Sequence, residues 1–302
     1  MASDNRDMTF LPGVFAVLLT LIFGGNTVAI KLTLAGMGPL TTAGLRFALA
    51  AAAIAGWAYF TGRSFRILPG QAPQLLIVSV GFTIQLCLFY LGLERTYASR
   101  GVLISNLLPF LVLLLSHRYI PGECITPKKL IGMVLGFIGV AAMFYGAEGL
   151  LASLYSGDLI ILAALIIWSC NVVYTKRIIH DYAPFHLVLY PMLFSVPIFI
   201  AAAFLWDARM LFDLNPAVMG AFAYQSLISA AFGFVAWSTL LQRYGVSTLH
   251  AFVFIMPIAG VAFSGLLLGE PITPQLIIAV AFIAAGILMV QISPRRHTVV
   301  IP

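Results

Sequence analysis

Apolar residues fall in long blocks along this chain, without the strict alternation of a half-buried strand or the charged face of a surface helix. Ten such blocks, separated by Gly, Pro and charged residues, run at about 11–33, 40–61, 72–94, 99–116, 126–146, 157–178, 183–206, 215–241, 246–268 and 273–292. Each is close to the roughly 20 residues that cross a bilayer core as an α-helix. The pattern predicts an all-α integral membrane protein with ten transmembrane helices. Met1 to Phe10 is mixed in charge and the first block outruns a signal-peptide core, so it reads as a retained anchor rather than a leader.

Composition points the same way. Of 302 residues, 62% are hydrophobic and 9% charged, against about a quarter charged in soluble domains. The partner surface is therefore a lipid bilayer. The net charge of +6 follows from topology: eleven basic residues, from Arg6 to Arg296, fall in the tails and the connections on their side. The other side holds only Lys31, Arg95, Arg100 and Arg209. The positive-inside rule places both termini in the cytoplasm. Arg46 is left within the second block, about six residues from its outer end, where a long stem can snorkel to the surface; this reading is preferred to direct binding of a carboxylate.

Cys87 and Cys170 lie inside apolar blocks and Cys124 in a short connection, so no disulfide is expected. No metal-ligand spacing, phosphate-binding glycine loop or basic patch with interleaved aromatics is present, and neither cofactor nor nucleic acid is expected.

The chain repeats itself. At an offset of 145, Ile22, Asn26 and Lys31 match Ile167, Asn171 and Lys176. At 147, the loop from Gly122 to Pro127 (GECITP) answers Gly269 to Pro274 (GEPITP), with Tyr97 answering Tyr244 and Gly139 answering Gly286. A unit with an odd number of crossings must be inserted the opposite way when repeated, so the halves are expected to be inverted, at 11–147 and 155–292, between tails 1–10 and 293–302. The repeated loop reads first as a helix-ending glycine followed by a Thr-Pro helix start. A gating role for Glu123 and Glu270 is the alternative.

These features resemble the drug/metabolite transporter superfamily, specifically the EamA group with two five-helix repeats. The carriers are the Gly-Glu loops, Leu45 to Phe47 (LRF) and Tyr90 to Ser99 (YLGLERTYAS). Within that group the chain is most similar to YddG-type aromatic amino-acid exporters. The resemblance implies export of aromatic and other apolar amino acids across a bacterial inner membrane. It also implies a cavity among crossings one, three, four, six, eight and nine, with five and ten peripheral.

Intramembrane polar and aromatic residues are the candidate lining. Asn26 and Asn171, at matched positions, can bind a zwitterion or tie helices together. Gln85 shares a helical face with Phe82 and Phe89, as a cavity wall or as a packing stripe. Tyr90, Trp168, Ser229, Phe232 and Trp237 add rings and a hydroxyl to the candidates. Pro109 and Pro257 remove amide donors and free the carbonyls of Ser105 and Val253, beside Asn106 and Phe254. Gly24 and Gly25 suit close helix approach or flexing, and the Gly132 to Gly136 spacing suits internal packing. His250 reads as a helix-end histidine.

None of the ten acidic residues falls near the centre of a block, so downhill export by alternating access is expected. A drug, nucleoside or other metabolite carrier, proton-coupled or not, is the alternative. No nucleophile, acid/base pair or metal set suggests an enzyme, and with both repeats on one chain a monomer suffices.

Overall fold

The computed structural model describes residues 10–68, 70–120, 125–143, 145–146, 149–150, 154–183, 185–244, 252–253 and 255–292. The helices are α1 (Phe10–Thr33), α2 (Pro39–Phe60), α3 (Ala72–Glu94), α4 (Ala98–Ser105), α5 (Leu108–Tyr119) and α6 (Pro127–Met143). A minimal hairpin, β1 (Tyr145–Gly146) and β2 (Gly149–Leu150), precedes α7 (Ser156–Ile178) and α8 (His186–Trp206). Then come α9 (Pro216–Ala223), a π-helical segment (Tyr224–Gly233), α10 (Phe234–Tyr244), α11 (Ile255–Leu268) and α12 (Pro274–Ile292).

Proline and glycine set the helix ends. Pro39, Pro127, Pro216 and Pro274 each open a helix at the position where a missing amide donor costs nothing. Thr126 and Thr273 accept the amide protons of Lys129 and Leu276, both at 3.3 Å, so both repeated Thr-Pro starts carry the side-chain cap that their sequence predicts. Gly269, at φ +65°, ends α11 in the left-handed region; its counterpart Gly122 lies outside the described residues.

Among the described residues seven helices, counting α4 with α5 as one and α9, the π segment and the start of α10 as another, are long and apolar enough to cross a membrane, and α11 and α12 are shorter apolar helices. Their outward faces carry Leu76, Ile77, Val80 and Ile84 on α3, Leu130, Ile131 and Val134 on α6, and Ile277 and Ile278 on α12, all exposed. Water does not tolerate so wide an apolar surface; lipid does. The chain is a multi-pass membrane protein.

Contacts between connections sort the helix ends into two groups. At one end, Lys31 Nζ donates to the carbonyls of Leu93, Glu94 and Thr96, and the α1–α2 turn lies on the α8–α9 connection, with Gly38 N to Met210 O at 3.0 Å. Thr96 there reaches Asp158 in the first turn of α7. At the other end, Gln71 meets Asp181, Tyr182 bonds Gln71 and Gln74, and His186 meets Ser64. We call these the Lys31 end and the Gln71 end. Because α1 finishes and α7 starts at the Lys31 end, the first helices of the two matched halves run in opposite directions.

Packing follows a swap pattern. α7 lies on α3 and α5, while α1 lies on the π segment and α11; α2 lies on the π segment as α8 lies on α3. The pairs α2–α8, α4–α11 and α6–α12 cross between equivalent elements, and α6 and α12 pack mainly on each other at the periphery. Gly24 allows α1 to approach α11 so closely that an added Cβ would sit 2.8 Å from that of Ala259. Gly286 lies against the carbonyl of Gly132, so the Gly132–Gly136 spacing serves internal contact.

Candidate functional site

A polar array crosses the interior between α1, α2, α3 and the π segment. Arg46 is only 4% exposed; it does not snorkel. Its Nη1 donates to Tyr90 Oη at 2.9 Å and, more weakly at 3.5 Å, to Gln225 Oε1. Tyr90 in turn donates to Gln225 Oε1 at 3.1 Å, and Gln225 Nε2 donates to Thr33 Oγ1 at 2.8 Å. Tyr90 and Gln225 are fully buried. The hydroxyl of Thr33 donates to Ala29 O, which fixes its lone pairs as acceptors and so fixes the orientation of the Gln225 amide.

Several buried polar atoms have no hydrogen-bond partner among the described residues: Asn26 Oδ1, Thr42 Oγ1, Arg46 Nε, Gln85 Oε1 and Ser116 Oγ. Buried polar groups are ordinarily paired. Asn26, Arg46, Gln85 and Gln225 each lie seven to nine residues from the Lys31 end of their helices. At 1.5 Å per residue that is a common depth of about 10–14 Å.

Aromatic rings surround the same depth. Phe47 meets Phe82 edge to face at 5.2 Å and stacks with Phe199 at 6.0 Å; Phe89 is edge-on to Tyr90 at 6.3 Å and to Trp168 at 6.5 Å. Gln85 is thus held on α3 between Phe82 and Phe89 while its own carbonyl stays unpaired. Trp237 lies farther along, edge-on to Phe23 of α1 at 5.8 Å, and Ser229 is buried in the π segment.

Other expected positions lie elsewhere or do other work. Phe232 is 48% exposed and meets Phe15, so it does not join Ser229 on the inner face. Asn171 donates to Val78 O at 3.3 Å and packs on Gly81, tying α7 to α3, whereas the matched Asn26 keeps an unpaired carbonyl. Asn106 bonds back to Val102 O at 2.8 Å where α4 breaks before α5, a break that Pro109 accounts for by its missing donor. Pro257, like Pro109, falls in the first turn of the helix that follows it, here α11, and Val253 O accepts from Met256 N at 3.0 Å instead of being left free. Gly25 lies against the Tyr224 hydroxyl. Glu123, Phe254 and His250 lie outside the described residues.

The Lys31 end is cross-linked by three carboxylates of the second half. Asp158, fully buried, is bound by Arg100, with Nη2 at 2.6 Å and Nε at 3.2 Å, and also accepts from Thr96 and Tyr155 N. Asp207 caps the start of α2 through Leu40 N, Thr41 N and Thr41 Oγ1. Glu270 caps the start of α4, accepting from Ala98 N at 2.6 Å, Ser99 N at 2.9 Å and Ser99 Oγ at 2.6 Å. Each places a negative charge at the positive end of a helix. Gln225, Asp158 and Asp207 escaped the sequence reading, and Arg46, read there as snorkelling, is buried instead. The acids left a signal nonetheless, for they cluster in the connections opposite the basic ones.

Known proteins share this organisation. An amino-acid metabolite efflux pump, named as probable, from Salmonella typhimurium is 27% identical over 91% of this chain and 93% of its own, and its Escherichia coli counterpart matches equally. An uncharacterized transporter of Bacillus subtilis, YyaM, is 27% identical over 88% of this chain and 89% of its own. One crystal structure aligns with a TM-score of 0.70 at 18% identity over 93% of this chain and 96% of that one, a likeness of fold. The sequence profile of the EamA-like transporter family matches twice, at residues 11–145 and 155–292. With its two repeats, buried polar interior and lipid-facing surface, the chain belongs to the EamA-like transporter family and is a membrane transporter rather than an enzyme.

Proposed function

We propose that this transporter exports aromatic and other apolar amino acids across a bacterial inner membrane. In this reading α4 with α5, and α9 through α10, each make one of ten crossings, arranged as two inverted five-helix units at 11–147 and 155–292. Both tails, 1–10 and 293–302, are cytoplasmic, and the Lys31 end faces outward. The observation that carries the substrate reading is the unpaired Gln85 carbonyl on the face of α3 that also carries Phe82 and Phe89, with Trp168 beside Phe89. A ring-lined polar group suits an aromatic guest that carries a charged head. The efflux-pump relatives support an amino-acid cargo.

Alternating access follows from the opposed halves. Opening the Lys31 end requires Asp158, Asp207 and Glu270 of the second half to part from their partners in the first. With no carboxylate on the inner array among the described residues, transport in this reading runs down the amino-acid gradient. Proteoliposome flux of labelled phenylalanine and tryptophan tests this. We expect flux that is unchanged by imposed pH or voltage gradients and several-fold lower in Trp168→Ala. Proton-driven accumulation would overturn the downhill mechanism, and flux of nucleosides or drugs without amino acids would overturn the cargo.

A further inference from the structure

We propose that Arg46 is an anion site that holds the carboxylate of the transported molecule; this rests on the exporter reading only for the identity of that molecule. The guanidinium is 4% exposed. Among the described residues it has no carboxylate partner, since its bonds go to the neutral oxygens of Tyr90 and Gln225. A charge within an apolar bundle is retained at a cost that a counter-ion relieves.

The geometry selects the counter-ion. Both protein bonds leave from Nη1, while Nε has no partner and Nη2 donates to no described residue. The free Nε–Nη2 edge is a two-donor fork, the shape that grips a carboxylate through two parallel bonds. The Tyr90–Gln225–Thr33 chain fixes the other edge, so the fork is held in one orientation. At the same depth, Asn26 Oδ1 and Gln85 Oε1 are unpaired acceptors, the groups that an ammonium requires. Unpaired donors on α2 and unpaired acceptors on α1 and α3 are the complement of a zwitterion. The device belongs to one half only: offsets of 145 to 147 from Arg46 fall on Pro191, Met192 and Leu193. The ligand class is therefore a monocarboxylate with an apolar body, an α-amino acid in the exporter reading. An amine without a carboxylate binds more weakly.

The test is competition against labelled phenylalanine on the purified full chain, with 2-phenylethylamine and 3-phenylpropionate as competitors, beside thermal shifts with benzoate and chloride. In the unmodified protein we expect phenylalanine to bind about 30-fold more tightly than 2-phenylethylamine, the worth of one charged, forked contact. Arg46→Gln should erase that preference while leaving 2-phenylethylamine unchanged, which also reports that the variant is folded. An Arg46→Gln protein that keeps the preference overturns the anion site and leaves the exporter reading standing. If no amino acid binds, the exporter reading falls and the thermal arm decides the anion site alone. Benzoate stabilising the unmodified protein but not Arg46→Gln supports the site, and equal shifts in both overturn it. Chloride matching benzoate overturns the carboxylate assignment. Should Arg46→Gln not fold, Arg46→Lys replaces it, keeping charge without the fork; a loss of about 10-fold in phenylalanine binding is expected, and no loss overturns the proposal.

Discussion

Arg46 and Arg100 are both buried within one helical bundle, at 4% and 6% exposure, yet they are satisfied in opposite ways. Arg100 meets a fully buried carboxylate, Asp158, through two nitrogens, with the Tyr155 ring 5.0 Å away. Among the described residues Arg46 meets only neutral oxygens and the Phe47 ring, 5.2 Å away, and keeps one edge of its fork unused. Burial alone therefore does not distinguish a structural charge from a working one; the identity of the partner does. Arg100 and Asp158 join α4 to α7 and so hold the two halves together at the Lys31 end. Arg46 spends its bonds on its own placement and leaves its charge uncompensated.

The sharpest way to break this comparison is to remove the carboxylate from the satisfied member. Asp158→Ala removes the buried carboxylate that Arg100 binds through two nitrogens, and strands the hydroxyl of Thr96. The expected loss is about 3–5 kcal/mol, read as a lower unfolding midpoint in detergent with relative competitor affinities unchanged. An Asp158→Ala protein as stable as its parent would mean that Arg100 is no better compensated than Arg46.

A smaller effect is expected one contact away. Glu270 holds the α11–α12 turn to the start of α4, two residues before Arg100. Glu270→Ala removes a helix cap and its favourable charge at the helix dipole, a loss of about 0.5–2 kcal/mol. If the Lys31 end is the gate, the same variant raises accessibility there, read as faster labelling of a cysteine introduced at Thr41. Stability loss without faster labelling would leave Glu270 a cap and no more.

Much of this arrangement was legible in the sequence, and the omissions have physical reasons. Apolar run length carries bilayer thickness directly, so α3 occupies the 72–94 block read for it. The Thr-Pro starts of α6 and α12 are local devices and formed as read. Pro109 and Pro257 each fall in the first turn of the helical segment that follows, because a missing donor is also a local device, yet the Val253 carbonyl expected to be free accepts from Met256 N. Facing is less legible than existence. Ser229 and Phe232, three apart, share a face in an α-helix, but the π segment bonds i to i+5 and changes the angular spacing, leaving Phe232 outside. Arg46 was misread because distance to a helix end does not say which way a side chain points. Its partners, Tyr90 and Gln225, come from 44 and 179 residues away.

The last and smallest effect is the most informative, because the comparison predicts that almost nothing happens to stability. Arg46→Met replaces an uncompensated buried charge with an apolar side chain of similar reach. Tyr90 and Gln225 retain their mutual hydrogen bond at 3.1 Å, so little is stranded by the change. Relief of the charge's desolvation offsets the lost bonds, and the unfolding free energy should stay within about 1 kcal/mol of the parent. Denaturation in detergent without ligand measures this, beside Asp158→Ala as the reference for a stranded charge. A loss as large as that of Asp158→Ala would make Arg46 a structural arginine like Arg100, held for the fold and not for cargo. A stable Arg46→Met protein that no longer binds a carboxylate would separate the two arginines by role, despite their equal burial.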